Sequence, residues 1–432
     1  MQLNFLMKEE FIAYLWKNKL LFPAKLQTTE GEQLEVIQPG QKNHDAGPDF
    51  FAARIRIGTT LWAGNVEIHV KSSQWNQHGH QYNSAYDNTI LHVVYEHDLE
   101  IKNTRNEPIP VLEIAGKFDA KLLLNYQALQ ASRAWVPCER QVSQVDSLIL
   151  GNWLNRLLVE RIERKSDDVL HFLKYFGNDW EQTFYYLLAR NFGFKVNASP
   201  FGMLAQRTPH NLLVRNRNNL SAIEAILFGQ AGLLDSDLHD VYPRSLRAEY
   251  LHQKNKYQLQ PLEKKLWKFA RIRPVNFPSI RIAQFAMLVY ELGPLFRNIV
   301  ETKNPQDIHQ QFRVKTSPYW ENHFVFDKIS AKIPKKIGQE AVNNIITNTV
   351  APVLFIYGKQ SMRPELVDKA LAILQETPAE NNTIIRKWNG IGVKAQHAAD
   401  SQALLELKKY YCLPKKCLQC PIGHFFLNRR ES

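Results

Sequence analysis

Two short runs decide how the N-terminal part of this chain folds: His44-Asp45-Ala46-Gly47-Pro48-Asp49-Phe50, and then Gly64-Asn65-Val66-Glu67-Ile68-His69-Val70-Lys71. Asp49 follows a Gly-Pro turn and opens a strand-like segment. In the second run, successive side chains leave opposite faces of a strand. One face therefore carries Glu67, His69 and Lys71, and the opposite face is apolar. A sheet with one ionisable face and one apolar face can position a functional site.

The two acidic residues of these runs predict a metal site. An Asp and a Glu from neighbouring strands repel each other unless a cation lies between them, and hard divalent ions take such oxygen ligands. A bound metal lowers the pKa of water and stabilises charge on a phosphate. We expect Asp49 and Glu67 to hold Mg²⁺ or Mn²⁺, and His69 or Lys71 to position the attacking water. An ordinary turn followed by a solvated strand face would give the same pattern.

These residues resemble the core of the PD-(D/E)xK nuclease superfamily, in which an Asp, often after Pro, and a Glu-x-Lys on the next strand hold the metal. Pro48-Asp49 and Glu67 match that pattern. His69 stands where the superfamily has lysine, and a lysine follows two residues later at Lys71. The resemblance implies a restriction-endonuclease-like fold and metal-dependent hydrolysis of nucleic-acid phosphodiester bonds, as in DNA repair or defence.

A histidine-bearing segment, Trp75-Asn76-Gln77-His78-Gly79-His80, follows the second run. It resembles the loop after the catalytic strand of some mismatch-repair nucleases, which implies that His78 or His80 assists the water. His92 lies within an apolar strand and is predicted to be a core histidine. A zinc hydrolase of small substrates, built from His78, His80 and a carboxylate, is an alternative, although the His-x-x-x-His spacing of a helical zinc site is missing.

The cysteines predict a second metal site. Three of the four cysteines, Cys412, Cys417 and Cys420, lie close together, and Cys138 lies far upstream. Close-spaced cysteines more often bind metal than form disulfides in a cytoplasmic protein, and four thiolates suit Zn²⁺ or a [4Fe–4S] cluster. The fourth ligand is Cys138 or His424. The set resembles the iron–sulfur staple of some PD-(D/E)xK nucleases, and buried small hydrophobic residues are the alternative.

Composition indicates an anionic partner and no membrane. The 432 residues include 54 Lys and Arg against 42 Asp and Glu, a net charge of +12. Such an excess favours nucleic acid, although a basic surface also serves solubility. We expect DNA as the partner more than RNA. No apolar run approaches the ~20 residues that span a bilayer, and residues 1–10 lack the apolar core of a signal peptide. Four cysteines in so long a chain argue against a disulfide scaffold, and we predict a cytoplasmic protein.

Hydrophobic periodicity predicts an α+β fold, with a nuclease-like mixed sheet followed by a largely helical domain and the C-terminal cysteine cluster. We expect a helix over residues 8–22, a hairpin turn at Gly58-Thr59-Thr60 and a long helix over residues 148–176. The predicted domains are residues 1–117 (α+β, PD-(D/E)xK-like), 118–380 (helical) and 381–432 (helical, with the cysteines).

Over nearly its full length, the chain resembles an uncharacterised bacterial family of proteins of unknown function. The matching stretches are residues 45–50, 64–69, 91–94, 228–232 and 273–278, together with the terminal cysteines. That resemblance brings no activity, so the functional prediction rests on the residues. They predict a metal-dependent nuclease. The alternative is a non-catalytic nucleic-acid-binding or scaffolding protein with a structural zinc or iron–sulfur site.

Overall fold

The structure, a computed structural model, describes residues 7–235 and 237–429. The chain divides into two compact units, one made of residues 1–151 and 407–432, the other of residues 152–406. The domain boundaries predicted from the sequence lie at residues 117 and 380. The end of the chain therefore belongs to the unit that contains the N-terminal sheet. Most of the segment used for the signal-peptide prediction, residues 1–6, lies outside the described residues.

The first unit contains a sheet and its flanking helices. Helix α1 spans Glu9–Lys17; strands β1, β2, β3 and β4 span Leu34–Gln38, Gln41–Lys42, Phe50–Ile57 and Thr60–Lys71; helix α2 spans Gln74–Gln77; strands β5 and β6 span Thr89–Glu96 and Val111–Glu113; helix α3 spans Ala120–Ala131. Helix α1 ends earlier than the predicted residue 22, because the backbone of Lys19 takes a left-handed conformation (φ +51°) that no helix continues through.

The sheet is mixed, with strand order β1-β3-β4-β5-β6 and β2 beside β3. β3 pairs antiparallel with β1 and with β4, whereas β5 pairs parallel with β4 and with β6. The predicted hairpin turn between β3 and β4 is confirmed, with Gly58 in the left-handed region at φ +57°. Parallel pairing of β4 with β5 requires the chain to cross over one face of the sheet, and residues 72–88 make that crossover.

Both faces of the sheet are covered. On one face, Val66 and Ile68 of β4 join the core formed with Phe11 and Leu15 of α1. On the other face, Trp75 and Tyr86 of the crossover pack in a second cluster with Val94 of β5. The apolar strand face predicted from the alternation is thus in the core. The ionisable face is buried at Glu67 and His69, and only Lys71 lies in solvent.

The rest of the chain is mostly helical, so the predicted α+β class is confirmed. Helix α4 spans Ser147–Tyr175, close to the predicted limits, and is followed by α5 Trp180–Phe192, α6 Phe194–Arg207, α7 His210–Val214, α8 Leu220–Gln230, α9 Val241–Tyr257, α10 Pro278–Leu292, α11 Leu295–Glu301, α12 Pro305–Gln311, β7 His323–Val325, β8 Lys328–Ile329, α13 Gln339–Ile345, α14 Ala351–Gln360, α15 Pro364–Glu376, α16 Thr383–Gly390, α17 Ala398–Glu406 and α18 Pro421–Leu427. Across the described part of the chain, no helix combines the length and apolarity needed to cross a membrane.

Gly64 allows β4 and β5 to approach closely. A Cβ at this position would lie 2.5 Å from Cγ2 of Ile90 and 2.7 Å from the carbonyl oxygen of Asn88. We expect Gly64→Ala to lower the free energy of unfolding by about 1–3 kcal/mol, because the two strands must separate to admit the methyl group. Urea unfolding measures the change. Gly151→Ala is the control, since nothing lies within 4 Å of its added Cβ, and equal loss in both variants would contradict the explanation.

Candidate functional site

The two acidic residues predicted to share a metal meet in one buried place. The backbone N–H of Asp49, just before β3, donates to Oε2 of Glu67 at 3.0 Å, and the N–H of Ile68 donates to Oδ2 of Asp49 at 3.2 Å. Burial raises the pKa of Asp49 to about 6, and the neighbouring Glu67 carboxylate adds to the rise. The antiparallel pairing of β3 with β4 brings these side chains together, as the hairpin predicted.

Histidines extend this acidic pair across the same face of the sheet. Because β4 and β5 pair in parallel with Glu67 opposite His92, His69 and His92 lie side by side, with 2.8 Å between His69 Nδ1 and His92 Nε2. His69 Nε2 lies 3.0 Å from His78 Nδ1 of the crossover. Gly79, between His78 and His80, has φ +74°, a left-handed turn that glycine adopts without strain.

The histidines and Glu67 form a set of converging ligand atoms. Oε1 of Glu67 lies 3.6 Å from His69 Nε2 and 3.4 Å from His80 Nε2. One nitrogen from each of His69, His78 and His80 lies within 4.8 Å of the other two. His69 and His80 are buried whereas His78 is exposed, so the set opens to solvent on the His78 side. Imidazole and carboxylate groups in this arrangement could hold a divalent metal ion.

Residues that the sequence did not single out complete the site. Tyr86 stacks on His80 with 3.8 Å between ring centroids, and Trp75 meets the edge of the same ring at 5.2 Å. Glu9 of α1 lies close enough for His78 and Glu67 to influence its carboxyl, whose pKa is raised mainly by burial. No local sequence pattern identifies Glu9 as a site residue, because it lies in α1, nearly sixty residues before Glu67 in the chain.

The buried histidines are held neutral. Burial lowers the pKa of His69 to about 3, and the nearby His78 and His80 contribute in the same direction. Burial likewise brings the pKa of His92 well below its ordinary value, with His69 as the next cause. Neutral imidazoles keep the lone pair that metal binding or proton abstraction needs. His92, predicted to be a core histidine, is buried, and its imidazole contacts that of His69 in the site.

Lys71 lies outside this cluster. Its ammonium group is exposed and pairs with Glu96 at 3.0 Å, and that hydrogen bond raises the pKa of Lys71. Of the two residues predicted to position the water, the structure therefore brings His69, and not Lys71, next to Glu67. Lys71 is the last residue of β4, so the third polar side chain of the alternation lies in solvent at the end of the strand.

The four cysteines come together in the first unit. Burial raises the pKa of the Cys138 thiol to about 12, and the charges of Cys420 and Cys417 raise it further. Burial, and then the charges of Cys420, Cys138 and Cys417, raise the pKa of the half-buried Cys412 thiol. His424, the other candidate for the fourth ligand, places Nε2 against the carbonyl oxygen of Leu418 and packs its ring on Tyr14. Cys138 thus lies near enough to Cys417 and Cys420 for their charges to act on its thiol, whereas His424 already has a hydrogen-bond partner.

Fold and site together define an α+β protein whose mixed sheet carries a buried carboxylate–histidine cluster. The chain belongs to the family described as "Protein of unknown function (DUF2851)", whose model matches residues 9–383. The predicted membership of an uncharacterised family is confirmed over that range. Comparison with curated proteins and with solved structures gives no match.

The neutral state of His69 predicts how stability depends on pH in chelator-treated protein. The unfolded chain protonates this side chain near pH 6.5, the folded chain only near pH 3. The unfolded state therefore binds more protons between these values, and the stability contribution is complete above about pH 6.5 and is lost as the pH falls toward 3. We expect urea unfolding of His69→Gln to show a shallower loss over this range than the wild type.

His44→Gln is the matched control for that measurement, because His44 is exposed in the same unit. It should keep the wild-type pH dependence. A wild-type slope in His69→Gln would contradict the assignment of this proton to His69.

Proposed function

We propose that the protein is a metal-dependent nuclease that hydrolyses phosphodiester bonds in nucleic acid, DNA rather than RNA. The observation that carries the proposal is the interlocked pair of Asp49 and Glu67, each accepting a backbone hydrogen bond from beside the other, next to three converging histidines. An acid before one strand and an acid in the next strand is the arrangement that the resemblance to the PD-(D/E)xK superfamily implies. A restriction-endonuclease-like unit is therefore part of the proposal.

Asp49 and Glu67 would hold Mg²⁺ or Mn²⁺. Their donor chemistry fits, because burial and the Glu67 carboxylate make Asp49 costly to ionise, and a divalent cation offsets that cost. Such an ion supplies charge stabilisation at the phosphate and a more acidic water. The backbone donors of Asp49 and Ile68 fix the orientation of the two carboxylates before any ligand arrives.

The histidines would handle the proton. His78 is exposed, so its imidazole can meet both solvent and a bound substrate. His69, held neutral by burial, contacts His78 Nδ1 through Nε2 and steadies the His78 ring. A neutral imidazole in this position can take a proton from the attacking water. His80, packed between Trp75 and Tyr86, borders the same space.

A nucleic-acid substrate is supported by charge. The net charge of +12 favours a polyanion, since phosphate contacts supply most of the sequence-independent affinity for nucleic acid. A carboxylate-bound divalent ion suits the phosphodiester group of the same polymer.

The cysteine cluster would hold Zn²⁺ or a [4Fe–4S] cluster through Cys138, Cys412, Cys417 and Cys420. Burial and neighbouring cysteines raise the pKa values of the Cys138, Cys412 and Cys417 thiols, which are therefore costly to ionise without a cation, and a metal offsets that cost. Its role would be structural, because it joins the end of the chain to the segment that follows α3.

Cleavage of labelled single- and double-stranded DNA and RNA with Mg²⁺ or Mn²⁺ tests the nuclease proposal. We expect Asp49→Asn and Glu67→Gln to lose activity by roughly a hundredfold or more, comparable to removing one preorganised electrostatic group. Both substitutions keep an oxygen that can accept the backbone hydrogen bond, so the fold should remain. Absence of cleavage by the wild type with every substrate and metal would favour the non-catalytic, nucleic-acid-binding alternative.

Two controls sharpen that experiment. Asp45→Asn changes an exposed acid near Asp49 and should leave the rate unchanged. Lys71→Ala removes an ammonium group that pairs with Glu96 away from the cluster, and it should also keep the rate within a few-fold of the wild type. A loss in Lys71→Ala as large as that in Glu67→Gln would instead place Lys71 in the reaction.

Elemental analysis and visible absorbance of anaerobically purified protein test the cysteine site. Cys138→Ser and Cys420→Ser should each lose the bound zinc or iron and lower the unfolding temperature, because each removes one thiolate ligand. His424→Asn should keep the metal, since His424 Nε2 already contacts the carbonyl oxygen of Leu418. Retained metal in Cys138→Ser with loss in His424→Asn would reverse the assignment of the fourth ligand.

A further inference from the structure

We propose that the site contains a transition-metal position of the Zn²⁺ type, formed by His69, His78 and His80 with Oε1 of Glu67. It adjoins the carboxylate position of Asp49, so that Glu67 serves both. A metal bound there would replace His78 as the group that activates the water, because a metal-bound neutral imidazole has no lone pair left for a proton. Its part in hydrolysis rests on the proposed nuclease function, whereas the binding of the metal does not. Imidazole nitrogens are ligands that borderline ions such as Zn²⁺ and Co²⁺ prefer and that Mg²⁺ does not.

The spacing of the donor atoms carries the proposal. Zn²⁺ binds imidazole nitrogen and carboxylate oxygen at about 2.0–2.1 Å, so the ligands of a tetrahedral site lie roughly 3.3 Å apart. His69 Nε2 and His78 Nδ1 are 3.0 Å apart. Glu67 Oε1 lies 3.6 Å from His69 Nε2 and 3.4 Å from His80 Nε2. Three of the distances between donor atoms in the four-ligand set are therefore already close to those of a tetrahedral zinc site.

An unsatisfied nitrogen gives an independent indication. His80 Nε2 is buried and has no hydrogen-bond partner among the described residues, although Glu67 Oε1 is 3.4 Å away. Buried polar atoms are nearly always satisfied, and an unpaired nitrogen among metal-type ligands is accounted for by a bound ion or water. Tyr86 and Trp75 hold the His80 ring from two sides, so the nitrogen cannot readily turn toward another partner.

The neighbours of His69 orient it as a ligand. His69 Nδ1 lies 2.8 Å from Nε2 of the fully buried His92. When His69 Nδ1 donates its proton to His92, the lone pair of His69 Nε2 points toward His78, His80 and Glu67. The hydrogen bond to His92 then fixes the tautomer and ring orientation of His69. Hydrogen-bond partners of metal-binding histidines commonly have this effect.

Glu67 divides its two oxygens between the two positions. Oε2 accepts from the backbone of Asp49, and Oε1 faces His69 and His80. A carboxylate placed in this way can bridge two ions, as in hydrolytic sites where paired metals lie about 3.5–4 Å apart. The histidine position would then be lost in histidine variants, and both positions would be weakened in Glu67→Gln.

Titration of chelator-treated, full-length protein with Co²⁺ tests the proposal, because Co²⁺ takes zinc sites and reports its ligands by visible absorption. We expect the wild type to bind one more equivalent of Co²⁺ than His78→Asn or His80→Asn, and we expect Zn²⁺ to displace it. Thiolate-to-cobalt charge-transfer bands from the cysteine cluster should be unchanged in both variants. His44→Asn, at an exposed histidine of the same unit, should match the wild type.

The outcomes separate this proposal from the nuclease. Undiminished Co²⁺ stoichiometry in both His78→Asn and His80→Asn overturns the histidine metal position, whether or not the wild type cleaves nucleic acid. Loss of one equivalent in the variants, with wild-type unfolding temperature in the exposed-site variant His78→Asn, supports it. If the same wild type cleaves nothing, the metal position stands and the nuclease proposal fails.

Discussion

The parallel pairing of β4 with β5 is the constraint on which the site depends. Its register sets Glu67 opposite His92 and His69 opposite Val94. A slip of one residue would turn every side chain of one strand to the other face of the sheet. The register shifts once, between Asn65 and Val66, next to the close approach that Gly64 permits. An irregularity of this kind re-aims the side chains that follow, which here are the site residues.

Burying this many polar groups on a sheet face costs folding free energy. Hydrogen bonds within the carboxylate–histidine cluster offset most of that cost. Asp49, Glu67 and the paired histidines satisfy one another or nearby backbone donors. The atoms left over, His80 Nε2 and His92 Nδ1, have no partner among the residues described. His80 Nε2 lies among the converging ligand atoms of the cluster and is available to a bound ion.

The end of the chain closes the first unit by a different device. The Asn125 side chain of α3 donates to the carbonyl oxygens of Phe426 and Leu427, and Gln130 donates to that of Lys415. These contacts hold the C-terminal cysteines beside Cys138. Gly423 is required there, because a Cβ would lie 2.1 Å from the carbonyl oxygen of Cys417. The unit that carries the site thus includes the C-terminal residues, which follow the helical unit in the sequence.

The sequence by itself determined the strands of the sheet, the hairpin turn at Gly58 and the approach of Asp49 to Glu67, because alternation and turn residues act between near neighbours in the chain. It also determined family membership. Only the tertiary structure decided that the ionisable face is buried beneath residues 72–88, that Glu9 and His92 reach the cluster, and that Lys71 does not. These outcomes depend on which elements pack together, and packing is set by contacts between residues far apart in the sequence, which no local pattern encodes.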